Sequence, residues 1–258
     1  ESSLHTPVVA GERVLVASES GRLWSVGVED GARYGFAQFA QPLRSPPAAA
    51  TEQGKAYLLG QQSSVYTLDA TTLDCVAVQY NGHAKGAAPV APVAIDGRVL
   101  LIQNIGAETS LLTVFSTDAD GLLANQLAEW RQEGVVSASP VVIGRRVLVT
   151  TERGAVYLYE VSAEPDGPPL SLTASRAAQD NADGRSRVVA MGGEVWIAGD
   201  GLRRTAASLA DSQLVVRAIP DPCNDDRFLG SLETNGDAIL HTRVREGESG
   251  VTFAATDA

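Results

Sequence analysis

The chain has 258 residues, 44% of them hydrophobic and 20% charged, with 20 Lys+Arg against 31 Asp+Glu for a net charge of −11. This is the composition of a folded globular chain, not of a disordered tail. The acidic balance speaks against binding nucleic acid or an anionic membrane surface, both of which need clustered positive charge, and no apolar run approaches the ~20 residues of a membrane span.

The chain opens Glu1-Ser2-Ser3-Leu4-His5, without an initiator Met or a signal-peptide pattern, and it closes inside the alternating run Val251–Ala258. Both ends read as cut from a longer polypeptide. A short pattern then recurs in chain order: a glycine, one or two polar residues, and three or four apolar ones. Its copies begin at Gly11, Gly54, Gly97, Gly144, Gly193 and Gly236, spacings of 43, 43, 47, 49 and 43 residues. Repeats of 40–50 residues mark stacked architectures.

Each copy sits in a larger frame. In the first, Thr6-Pro7-Val8-Val9 precedes Gly11-Glu12-Arg13-Val14-Leu15-Val16, and Gly21-Arg22-Leu23-Trp24-Ser25-Val26 follows. In the second, Ser45-Pro46-Pro47-Ala48 leads to Gly54–Leu59 and then Ser64-Val65-Tyr66-Thr67-Leu68-Asp69. The third has Ala91-Pro92-Val93-Ala94, Gly97–Ile102 and Leu111–Phe115, and the fourth has Ser139-Pro140-Val141-Val142, Gly144–Val149 and Gly154–Tyr159. The fifth and sixth keep Gly193-Glu194-Val195-Trp196-Ile197 and Gly236-Asp237-Ala238-Ile239-Leu240.

Alternating β-branched and aromatic residues bounded by Gly, Asp, Ser and Asn predict strands joined by tight turns. The recurring glycine suits a turn position with positive φ. The prolines stand at strand starts, where a missing N–H is tolerated. Leu122–Trp130 has the best helical pattern, but the repeat places an outer strand there, and strand is the reading adopted.

A period of this length with three or four strands is that of a β-propeller blade, which buries its faces only against neighbours. The expected fold is an all-β, single-domain propeller with six four-stranded repeats. Their approximate bounds are 4–40, 41–86, 87–134, 135–183, 184–226 and 227–258, the last lacking its outer strand.

The frame of small residue-Pro-Val, Gly-x-Val-Tyr, Leu-Asp and Thr resembles the pyrroloquinoline-quinone-type propeller repeat, best over Ser139–Glu160 and Val65–Thr72. The resemblance covers nearly the whole chain and implies a bacterial protein acting in the periplasm or cell envelope. That family's blades end in Asp-x-x-Thr-Gly and a docking Trp. Here Leu73 replaces the Gly after Asp69-Ala70-Thr71-Thr72, and of the three tryptophans Trp130 alone falls on an outer strand. Trp24 and Trp196 are expected to pack within blades, and the docking role to pass to Phe39 or to aliphatics such as Leu214.

The resemblance also raises quinone chemistry, with pyrroloquinoline quinone and calcium on the axis. The family's adjacent cysteine pair is missing: Cys75 and Cys223 lie far apart and pair only if the fold brings them together. No Glu/Asn/Asp set stands in matching loops, and the long insertions that build that site are lacking. His5, His83 and His241 have no metal-ligand spacing. The acidic loop with Asp221, Asp225 and Asp226, and the stretch Gln179–Arg185, offer oxygen ligands without the pattern of a calcium-binding loop. No nucleophile elbow or phosphate loop occurs.

Two reading classes follow. The first is a non-catalytic binding or scaffold propeller that contacts protein or glycan through its loops, with Arg203, Arg204, Asp221, Asp225 and Asp226 as candidate partner contacts. The alternative is a quinone-dependent oxidoreductase with an axial cofactor.

Overall fold

The computed structural model describes residues 3–60, 64–81, 88, 90–162, 164, 167–177, 187–191, 194–198, 202–208, 213–217, 226–228, 233–235, 238–245 and 250–257. Among them the secondary structure is β apart from one 3-10 turn, Thr51–Gln53. Among the described residues no helix is long and apolar enough to cross a membrane. Contacts divide the chain into two compact units.

The first unit comprises Glu1–Glu133 and Ala163–Pro169. It holds three antiparallel four-stranded sheets, each in the order of the chain. The first contains β1 (Val8–Ala10), β2 (Arg13–Ala17), β3 (Arg22–Gly27) and β4 (Arg33–Gln38). The second contains β5 (Ala48–Ala50), β6 (Lys55–Leu59), β7 (Ser64–Asp69) and β8 (Cys75–Tyr80). The third contains β9 (Val93–Ile95), β10 (Arg98–Asn104), β11 (Thr109–Thr117) and β12 (Leu123–Glu133). The helix-like stretch Leu122–Trp130 is thus the outer strand that the repeat requires, held by pairing such as Leu112 with Trp130.

The second unit comprises Gly134–Ser162 and Leu170–Ala258. One sheet is β13 (Val141–Ile143), β14 (Arg146–Thr150), β15 (Val156–Val161) and β16 (Leu170–Arg176). The next is β17 (Arg187–Met191), β18 (Glu194–Ala198), β19 (Leu202–Ser208) and β20 (Gln213–Arg217). The last holds β21 (Asp226–Phe228), β22 (Glu233–Asn235), β23 (Ala238–Arg245) and β24 (Thr252–Asp257). In it Arg243 pairs with Phe228 of β21 and with Thr252 of β24. Leu240 likewise lies between Glu233 of β22 and Ala255 of β24. So β21 and β22 share one edge of β23, and β24 takes the other.

The recurring glycine does what its position predicts. Gly11, Gly54, Gly97 and Gly144 have φ of 64°, 61°, 67° and 60°, the left-handed conformation that closes each first hairpin. Gly193 and Gly236 lie outside the described residues. Asp96 joins Gly97 at φ 46°, as an Asp-Gly hairpin turn of the primed type requires.

First strands lie beside one another within each unit, β1 by β5, β5 by β9 and β13 by β17, while β17 lies by β22, which shares the β21 edge of its sheet. The sheets stack face to face. On β6, Ala56 and Leu58 join Leu15, Ala17 and Leu23 of the first sheet, while Tyr57 and Leu59 join Val99 and Leu101 of the third. Both faces of β6 are therefore buried, which explains its unbroken apolar run. Each fully buried Leu contributes about 1.5–3 kcal/mol. Phe39 sits edge-on to Tyr66 at 5.0 Å, docking the first sheet on the second. Leu214 packs with Leu148, Leu158 and Ile197, and buried Trp196 with Ala198, Leu202 and Ile239.

Buried polar bonds lock neighbouring pieces of the first unit. Ser25 Oγ donates to the Ala70 carbonyl at 2.9 Å, and Tyr57 Oη donates to the Gly121 carbonyl at 2.7 Å. Arg98 Nη2 donates to the Glu164 carbonyl at 2.9 Å. In each case a side chain of one sheet holds the backbone of a turn between a third and a fourth strand. Gly35 of β4 lies so close to such a turn that a Cβ would stand 2.7 Å from the carbonyl oxygens of Thr71 and Thr72.

Candidate binding face

Antiparallel order gives every complete sheet two different ends. The first-to-second and third-to-fourth turns share one end, called here the turn end. The second-to-third turns and the connections from one sheet to the next share the other, the loop end. Of the first unit's sheet-to-sheet connections, residues 39–47 are fully described and expose Ala40, Pro42 and Arg44, and binding residues collect on such loops.

The loop end is held from its own residues. Ser18 Oγ accepts from the Arg22 amide at 3.2 Å, closing the turn of residues 18–22. Thr151 Oγ1 accepts from the Ala155 amide at 3.1 Å in the same place of the fourth sheet. A glycine with positive φ, Gly21 or Gly154, follows each hydroxyl by three residues. The incoming chain is pinned to these turns by backbone bridges, Leu4 to Ser18 and Val136 to Thr151.

Side chains extend the hold. Gln38 Nε2 donates to the carbonyls of Ser20, Gly21 and Phe39. Gln41 Nε2 donates to Tyr66 Oη, joining the loop after the first sheet to the second. His5 Nε2 lies 3.1 Å from the Leu43 carbonyl, and Ser110 Oγ donates to Asn104 Oδ1 at 3.2 Å. The result is a loop end tied down by buried Ser18 and Ser110, half-buried Gln41 and Asn104, and exposed Gln38. Among the described residues no three of His, Cys, Asp and Glu converge as a metal-holding group.

Displaced proton affinities fall elsewhere. At the turn end, the Asp30 carboxylate is held below the usual range by the Ala32 amide and the Tyr34 hydroxyl. The Thr72 amide, with Thr71, does the same for Asp69 against a smaller opposing effect of burial. Burial, with the Asp118 charge adding to it, pushes the Tyr57 phenol up to about 12, and burial also raises Tyr159. These are structural groups: the two carboxylates cap turns, and the two phenols stand in the cores.

The residues singled out in the sequence separate. Arg203 and Arg204 stand on β19. The half-buried Arg204 has its guanidinium 5.2 Å from the ring centroid of buried Trp196, its cross-strand partner. Asp226 is the first residue of β21, paired opposite Arg245, so a strand begins where a loop was expected. Asp221 and Asp225 lie outside the described residues, as do Gln179–Arg185, His83 and Cys223. Cys75 carries an exposed free thiol at the start of β8. His241 is buried in β23. The Ser, Gln and Asn set at the loop end was not foreseen; its one local signal is the Ser/Thr-x-x-Gly spacing at Ser18–Gly21 and Thr151–Gly154.

No family model and no curated protein matches the chain. Solved structures do. BamB from Moraxella catarrhalis matches with TM-score 0.64 and 14% identity over 93% of this chain and 69% of that one. The Cps50 (Swd1) beta-propeller domain from Myceliophteria thermophila matches with TM-score 0.64 and 14% identity over 99% and 84%. A chain of the Mitotic Checkpoint Complex matches with TM-score 0.63 and 10% identity over 100% and 75%. At such identities these likenesses show the fold, a β-propeller of four-stranded antiparallel sheets, and nothing of the chemistry.

Proposed function

We propose that the chain is a non-catalytic binding propeller whose loop end docks protein. The carrying observation is the pinned, polar loop end of the first unit: its chain entry bridged to the turn at Ser18, and Gln38 and Gln41 tying loops to sheets. A loop end ordered in advance loses little conformational entropy on binding, which is what a scaffold surface requires. A propeller neighbour that is part of the Mitotic Checkpoint Complex supports protein as the partner.

The finer parts of this reading are as follows. The six repeats are six blades, the last without its outer row. The repeat is of the pyrroloquinoline-quinone-like type, and that resemblance supports a site of action in the bacterial cell envelope. Arg203, Asp221, Asp225 and Asp226 remain candidate contacts of that surface.

The competing reading is a quinone enzyme, and one titration separates the two. Pyrroloquinoline quinone with calcium is added to the protein and followed by absorbance. The binding reading predicts no saturable change; stoichiometric uptake of the quinone overturns it.

A further inference from the structure

The outer strand β8 differs from its counterparts. The other outer strands each carry charge: Arg33 on β4, Glu129, Arg131 and Glu133 on β12, Arg176 on β16 and Arg217 on β20. Charged residues on an edge strand block pairing with other chains. β8 reads Cys-Val-Ala-Val-Gln-Tyr, with no charge and no proline. Among the described residues it ends its sheet and pairs with β7 alone. Its bulge lies at the Cys75 end, so Ala77–Tyr80 run in regular register with Ser64–Thr67.

Its exposed side chains form a stripe. Val76, Val78 and Tyr80 alternate along the strand and are 46%, 57% and 65% exposed. Val78 pairs with Tyr66, which Phe39 meets edge-on, so the stripe continues into an aromatic pair. Of the two aromatics on β4, Tyr34 is guarded, with Arg13 over its ring at 3.7 Å and Asp30 accepting its hydroxyl, while exposed Phe36 lies 6.0 Å from the Trp24 ring on a strand that also carries Arg33.

Charge selects the occupant. At net −11, two copies of the chain repel one another. Exposed Asp74 immediately precedes β8, and Asp69 beside it is held ionised by turn amides. We propose that β8 accepts an extended segment of a partner protein as an added antiparallel strand. That segment carries alternating apolar residues along Val76, Val78 and Tyr80, and a Lys or Arg at its C-terminal end beside Asp74. Backbone hydrogen bonds supply the affinity of such strand addition, and alternate side chains supply the selectivity. This surface is separate from the loop end and does not depend on it.

The probe is a fluorescein-labelled, C-terminally amidated octapeptide, Ser-Val-Thr-Val-Gln-Val-Thr-Lys, read by anisotropy. Two derivatives carry N-methyl groups on alternate sets of amides, and a third ends in Glu. Strand addition predicts that one methylated set weakens binding by about tenfold or more while the other leaves it unchanged, because only one set of amides faces β8. The Glu-ended peptide is expected to bind several-fold more weakly at low salt, roughly as one lost charge contact implies. Val78→Lys abolishes binding, and Val9→Lys, an exposed valine on β1, does not. The peptide series reads the wild-type chain and is unaffected if Val78→Lys misfolds. Absence of binding, equal effects of both methylated sets, or indifference to Val78→Lys would overturn the proposal. So would a wild-type dimer in sedimentation that Val78→Lys dissolves, which would assign the edge to a second copy.

Discussion

Leu73 concentrates the tension between local and tertiary preferences. It stands where the resembling repeat has glycine, and its φ is 65°, a conformation that costs an L-residue about 1–2 kcal/mol. The side chain is nonetheless buried in the core between the first two sheets, and removing a buried Leu costs about 2–5 kcal/mol. Burial outweighs strain. Leu73→Gly is therefore expected to destabilise the first unit by up to about 4 kcal/mol, the largest difference between those two ranges, as read by urea denaturation. A stabilised variant would show that backbone strain dominates. The departure from glycine was visible in the sequence. Its compensation was not, because the burial of Leu73 depends on residues far away in the chain.

Among elements, the repeat's strands and first hairpins were legible, since alternation and turn glycines are local signals. What sequence patterning does not report is how sheets fasten to each other. The bulges recur between third and fourth strands, at Ser25/Val26, Thr67/Leu68 and Leu158/Tyr159, with no shared residue to announce them; such bulges increase twist. The bonds from Ser25, Tyr57 and Arg98 to turn carbonyls likewise use three unlike side chains for one purpose. Tyr57 makes this testable. Its phenol is pushed up to about 12 in the folded chain, above the ordinary value of 10.0. The neutral phenol is thus favoured by folding. That contribution is complete below pH 10 and is lost as pH rises through 10 toward 12. Urea titrations from pH 7 to 11.5 should show wild type losing stability above pH 10 and Tyr57→Phe losing less. At pH 7 the variant should be weaker by about 1–3 kcal/mol, because the Gly121 carbonyl is left buried without its donor. An identical alkaline decline in both proteins would remove Tyr57 from the account.

For the molecule as a whole, the recurrence of one glycine-led frame revealed a stacked β architecture, and the likeness to solved propellers agrees with it. The proposed binding face was less legible. Arg203 and Arg204 drew attention because paired cations stand out in an acidic chain, yet Arg204 lies against Trp196. The loop-end residues Ser18, Gln38, Gln41 and Ser110 carry no composition signal, because Ser and Gln are ordinary residues at turns and strand ends. They become a site only when sheet topology gathers the loops at one end.

That distinction between ends is the central claim, and site-specific photo-crosslinking tests it most directly. A photoreactive phenylalanine is placed singly at Ser20, Arg44 or Glu108 on the loop end and at Glu12, Glu52 or Asp120 on the turn end, all exposed positions. The protein is then irradiated in extracts of its source cells. The account predicts discrete protein adducts from loop-end positions and none from turn-end positions. Adducts confined to the turn end, or none from either end, would contradict it.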